Sequence, residues 1–277
     1  MQPFRFPVRS PTFLLLAVLP ISVSLTLLGQ SLAYGQNPAR ETQPSEPLIQ
    51  NRIVADTMTE PIALPTGKAL LPTHRKMIDE VMGMLPAACR AQVKTIVVRY
   101  DNPVQRGLGG RETMIVTGNV PDDEFRALLI HEALGHVMDL GCLQGTAVNG
   151  ESEFRDGSDA VYKNDPSLSF YRISWQSPKT KREEARSEDF VSGYAYSSDV
   201  FEDLAESVTF ALLHHDEFRH IAQSNAKLAA KLAWVEAYVL PHATSTVTSG
   251  YVWRARSIPW DTTRLPYRWI GEQVAVK

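Results

Sequence analysis

Cysteine is almost absent from this chain: Cys89 and Cys142 are the only two in 277 residues, and they form no Cys-x-x-Cys pair. A thiolate zinc site is thereby excluded, and any metal must be held by histidine and carboxylate. The two cysteines leave two equal readings, a disulfide between them, which export would permit, or two buried free thiols. An excess of positive charge is also missing. Lys plus Arg number 28 against 31 Asp plus Glu, a formal charge of −3, so nucleic acid is excluded as a partner. No second long apolar run follows Leu28, which excludes a polytopic membrane protein. There is no internal repeat.

What is present begins with a leader. Arg5 and Arg9 precede the apolar run from Phe13 to Leu28, and Ala33-Tyr34-Gly35 supplies small residues after it. This is secretory signal architecture over residues 1–35, so the protein is expected to be exported, secreted or periplasmic. An uncleaved N-terminal anchor is the alternative, and N-terminal sequencing decides between them. Residues 36–67 are rich in Pro, Gln, Thr and Glu and read as a linker, and residues 68–277 read as one folded domain. At 44% hydrophobic and 21% charged, the chain can bury a real core.

Within the domain, the pattern predicts a helix over Thr73–Met84, a strand over Val93–Tyr100 and a glycine-bearing turn over Gln105–Arg111. A second strand follows over Glu112–Val120, with Met114 and Val116 placed to line a substrate edge. A helix then starts at Pro121, with Asp122 or Asp123 as its cap. Phe125, Leu128, Leu129, Leu134 and Val137 form its apolar surface, and Gly141 is expected to end it. Gly150–Arg186 is polar and weakly periodic, a long loop with one short element around Ser169–Trp175. Further helices are expected over Asp199–His215 and Asp216–Leu240. The aromatic, Arg-bearing C-terminal segment reads as packing across the domain. The fold class is α+β, mainly helical with a small sheet.

The chemistry concentrates in His131-Glu132-Ala133-Leu134-Gly135-His136. The spacing is H-E-x-x-x-H, one residue longer than the H-E-x-x-H that sets two zinc histidines and a general-base glutamate on one helix face. On a regular helix, positions five apart differ by roughly 140° and positions four apart by about 40°. A straight helix would not chelate. A wide turn of the i→i+5 kind around Ala133 to Gly135 restores the shared face, and Gly135 eases it. Two histidines and a glutamate buried in an apolar helix are costly without a partner, and one zinc ion is the simplest partner.

Zinc in a hydrolase takes three protein ligands and leaves one position for water. Glu202 and Glu206, four apart in Glu202-Asp203-Leu204-Ala205-Glu206, project from one face of a second helix and offer the third ligand. Glu202 also fits a capping box with Asp199. One carboxylate cannot do both.

Leu-Leu-Ile-His-Glu-x-x-Gly-His-x-x-Asp, followed by Tyr-x-x-Ser-Ser-x-x-x-Glu-Asp-x-Ala-Glu, resembles zinc metallopeptidases of the gluzincin kind over roughly Asp123 to Leu240. The second motif is similar to the anthrax lethal factor-like group. The first shares its histidine spacing with the dipeptidyl peptidase III family. The resemblance implies a zincin-like metallopeptidase domain that acts on a peptide or protein substrate, with a short sheet packed on two metal-bearing helices. It implies His131, His136 and Glu202 as ligands, Glu132 as general base, and Glu206 and Asp139 behind the zinc histidines. The family tyrosine that steadies the oxyanion stands seven residues before the ligand glutamate. Here that position is Ala195, flanked by Tyr194 and Tyr196, with Tyr194 the first choice. The chain departs from lethal factor-like members in its longer histidine spacing and lacks the bulk of the dipeptidyl peptidase. Two competing functions are a peptidase-like binding protein without catalysis and a zinc amidase acting on cell-wall peptides. His214, His215 and His220 cluster downstream and read as helix-end histidines, with one as a lesser oxyanion candidate.

Overall fold

The computed structural model describes residues 62–63, 68–101, 103–243, 247–248 and 257–269, all within one compact unit, Ala55–Lys277. The leader expected over residues 1–35 and nearly all of the linker expected over 36–67 lie outside the described residues. Within that linker stretch, the strand β1 (Ile62–Ala63) pairs in parallel with a strand of the domain. A two-residue strand offers no periodicity to read.

Helix α1 (Pro72–Gly83) begins with proline, whose missing N–H is not needed in a first turn, and buries Met77, Ile78, Val81 and Met82. A short helix α2 (Ala87–Arg90) follows. Then β2 (Thr95–Arg99), β3 (Gly107–Gly109) and β4 (Thr113–Thr117) complete a sheet in the order β1-β2-β4-β3. β2 runs parallel to β1 and β4, while β3 runs antiparallel to β4 at the edge. Ile96 and Val98 of β2 and Met114 and Val116 of β4 are fully buried on one face. Met114 and Val116 therefore do not line a substrate edge. The edge of the sheet is β3, whose glycines carry no hydrophobic pattern that would have marked it.

Helix α3 (Asp122–Ile130) continues directly into a π-helix, His131–Leu143. Pro121 holds the cap position, so neither Asp122 nor Asp123 caps by its side chain; with Glu124 they place negative charge on the positive end of the helix. Gly141 does not end the helix. A Cβ there would stand 2.9 Å from the carbonyl oxygen of Arg111, so the glycine serves a close approach instead. Cys89 and Cys142 are joined in a disulfide that ties the end of the π-helix to α2. Closing a sequence separation of 53 residues removes about 4 kcal/mol of unfolded-chain entropy in the simple loop-closure account.

The polar stretch after Gly150 is more ordered than expected. β5 (Glu151–Asp156) and β6 (Asp159–Tyr162) form a hairpin turning at Gly157, which has φ of 57°. α4 (Ser167–Ser174) follows, and β7 (Trp175–Ser177) pairs with β8 (Thr180–Lys181). In β5 and β6 only Phe154, Ala160 and Val161 are buried, too few apolar positions to make an alternation visible in the sequence.

α5 (Gly193–Ser197), α6 (Val200–Leu213), α7 (His215–Ala222) and α8 (Ala226–Tyr238) complete the helical layer. The single helix expected over Asp216–Leu240 is two. Asn225 caps α8 by accepting from the N–H groups of Lys227 and Leu228, and this fresh start breaks the run. α6 is the central helix, packed on the π-helix on one side and α8 on another. Toward α8 it presents Asp203, fully buried 2.7 Å from the equally buried Lys231 ammonium, with the Trp175 indole N–H donating to the same carboxylate at 2.9 Å. A buried charge pair so satisfied fixes how α6 and α8 meet. The architecture is α+β, mainly helical with small sheets.

Candidate metal centre

The extra residue between the two histidines is absorbed by π geometry along the whole of His131–Leu143, longer than the single wide turn expected. Bonds of the i→i+5 type bring His131 and His136 to one face. Their ring centroids lie 5.1 Å apart, and both side chains are buried. Gly135 has a further use that the sequence did not show. A Cβ on it would stand 2.5 Å from the Ala205 Cβ and 2.7 Å from the Ala205 Cα, so the π-helix and α6 cross at this pair. Gly135→Ala should cost about 1–3 kcal/mol by overpacking and, where zinc occupies the centre, weaken its binding by pushing α6 away. A thermal melt and a zinc titration check this, and wild-type values in both would refute the tight crossing.

That crossing brings the second helix onto the histidines. Glu202 Oε2 lies 3.1 Å from His131 Nε2 and 3.4 Å from His136 Nε2. Zinc bonds of about 2.1 Å at the tetrahedral angle place two donors about 3.4 Å apart, so these residues fit the ion. One donor atom from each of His131, His136 and Glu202 lies within 4.8 Å of the other two. Asp199 Oδ1 caps the helix by accepting from the N–H groups of Phe201 and Glu202, both at 3.1 Å, while the Glu202 carboxylate faces the two histidines.

Behind His131, Glu206 Oε1 lies 3.2 Å from Nδ1. Glu206 is fully buried and also accepts from the Ser192 hydroxyl at 2.5 Å and from the Thr262 N–H and hydroxyl, each at 2.9 Å. A carboxylate facing Nδ1 favours the proton there and leaves Nε2 free to ligate. Ser192 and Thr262 went unread in the sequence, since neither belongs to a motif.

Electrostatics agree with this arrangement. Burial opposes protonation of His131, yet the Glu202 and Glu206 carboxylates outweigh it and hold the imidazole well above its ordinary range. Burial would raise Glu202, but both histidines drive it well below the usual carboxylate value.

Glu132 is 4% exposed and is raised above its ordinary value chiefly by burial, opposed by His131 and His136. Its Oε2 is buried without a hydrogen-bond partner. The edge strand comes close because it is glycine: a Cβ on Gly107 would collide with Glu132 Oε1, and one on Gly109 would stand 2.6 Å from the His136 Cβ. Tyr194 lines the same cleft, of about 400 Å³, and its phenol is raised by burial and then by the Glu202 carboxylate. Tyr196 does not line it, and packs on Phe190 with the Lys181 ammonium over its ring. His214, His215 and His220 are also away from the cleft: His214 is buried against Phe210, and His215 lies 3.0 Å from Glu236.

Asp139, expected behind the histidines, is buried and accepts from the Tyr171 hydroxyl at 2.5 Å. Burial raises it to about 6, and burial together with the Asp139 charge raises neighbouring Asp165 to about 7, against an ordinary 3.8. Both folded-state values exceed the unfolded ones. The stabilisation is therefore complete below about pH 4 and is lost as pH rises through about 6 to 7. In chelator, the urea midpoint of Asp165→Asn should fall less than that of wild type between pH 5 and 8, by the equivalent of a few kcal/mol. Parallel pH profiles for the two proteins would contradict it.

No family model, curated protein or solved structure matches the chain.

Proposed function

We propose that the protein is an exported zinc-dependent peptidase of the gluzincin kind with a zincin-like fold, hydrolysing peptide bonds with Glu132 as general base. The observation that carries this reading is the convergence of His131 Nε2, His136 Nε2 and Glu202 Oε2 at zinc-donor spacing, with the buried Glu132 carboxylate, one of its oxygens unpartnered, beside them. A zinc ion held by the three ligands supplies the Lewis acidity that makes water nucleophilic near neutral pH.

The chain's own residues do the rest. Glu132, made more basic by burial, takes the proton of the attacking water and passes it to the leaving amine. Tyr194, kept protonated by its surroundings, donates its hydroxyl to the oxyanion. β3 is an edge strand beside Glu132 and can accept an extended peptide as one more strand. Val104, Leu108 and Trp260 line the cleft, three of the six large apolar side chains exposed among the described residues, so substrates carry an apolar side chain near the scissile bond.

The test is metal analysis together with incubation on a proteome-derived peptide library. One zinc per chain and chelator-sensitive cleavage, enriched for apolar residues near the cut, are expected. A zinc-loaded protein that binds peptides and cuts none would support the binding-protein reading, and cleavage confined to cell-wall amides would support the amidase.

A further inference from the structure

Residues 257–269 are remote in sequence from both histidine- and glutamate-bearing helices, yet they contact the start of α5, Arg106 beside β3 and Glu206 of α6. The Pro259 and Trp260 carbonyls accept the backbone N–H groups of Gly193 and Tyr194, each at 2.7 Å, holding the start of α5 that carries the cleft tyrosine. Asp261 pairs with Arg106 beside β3, and Arg106 Nη1 also donates to Thr263 Oγ1 at 3.1 Å. Between them, Thr262 turns its N–H and its hydroxyl onto the two oxygens of Glu206, 56 residues away in sequence. Asp261, Thr262 and Thr263 are buried, although the segment is otherwise largely at the surface.

We propose that this strap is a working part of the metal centre, with Thr262 as a positioning residue that fixes Glu206 and, through it, His131. The inference rests on the peptidase reading for the identity of the metal. A fully buried carboxylate must have donors, and the geometry of those donors determines which way it faces. Ser192 holds one oxygen from the α5 side. Thr262 holds both, its N–H on Oε2 and its hydroxyl on Oε1, the oxygen that faces His131 Nδ1. With the hydroxyl gone, the carboxylate keeps one anchor fewer on the side that orients the imidazole. The His131 Nε2 lone pair is then aimed less well at the metal.

The test is zinc affinity, measured on the full chain by competition with a chromophoric chelator. Thr262→Val keeps the shape and removes one donor, and should raise the zinc dissociation constant by up to about 10-fold, the low end of what loss of a ligand's own hydrogen-bond partner costs. Thr262→Ser should recover most of that loss. In a Glu206→Gln background Thr262→Val should add little, because its effect travels through Glu206. A Thr262→Val protein with wild-type zinc affinity would overturn the proposal, and so would a loss that adds in full to that of Glu206→Gln. Where Thr262→Val lacks a cooperative melt, Thr262→Ala is measured against the same two outcomes. A wild-type chain that binds no zinc sinks the peptidase reading itself, which is a separate result.

Discussion

Glu132→Gln should keep a full complement of zinc and lose peptide hydrolysis by about 10²–10⁴-fold in kcat/KM. Glu132 is not among the three converging donors, so the metal does not depend on it. Glutamine has nearly the same shape and occupies the same buried slot between the π-helix and the glycines of β3. What it lacks is a basic oxygen. The Glu132 carboxylate is buried with one oxygen unpartnered and its proton affinity raised, an arrangement with no evident structural use and a clear chemical one. Metal analysis and initial rates on one cleaved peptide make the comparison. A zinc-loaded Glu132→Gln protein with wild-type turnover would remove Glu132 from the mechanism.

The second large effect is on metal retention. Glu202→Ala should leave the helix intact and lose zinc, by more than the roughly 10–100-fold that loss of an outer hydrogen-bond partner costs. The two parts of that expectation separate because Asp199, not Glu202, caps α6. Far-UV circular dichroism should therefore match wild type, while zinc content after dialysis falls below one per chain. If Glu202 served as a capping residue only, the opposite pattern would appear, a frayed helix with its metal in place. Full zinc content in Glu202→Ala would refute the third ligand.

Much of the site was legible because helical spacing is local. His131, Glu132 and His136 share five peptide bonds, and Glu202 and Glu206 are one turn apart, so backbone geometry relates each set without reference to the rest of the chain. The same reasoning required the π-type distortion once both histidines were taken as ligands, and the helix carries it further than expected. The apolar stripes of α1, α3 and α6 were visible for the same reason. Short strands were not: β1 is two residues long, and β3 and the two later hairpins bury too few side chains to show a period.

Other features depended on how distant segments meet. That Tyr194 lines the cleft and Tyr196 does not depends on which face of a five-residue helix looks into it. Gly135 could be read from the chain as easing a bend, but its fit against Ala205 exists only where two helices cross. Cys89 and Cys142 gave two equal readings until α2 was placed against the end of the π-helix. Thr262 carried no signal at all, because a buried carboxylate is satisfied by whichever donor the folded chain brings to it. The ligand types and their spacing follow from covalent geometry within a helix. Their assembly into one centre, with Glu206 and the strap behind it, follows from packing, which sequence distance does not encode.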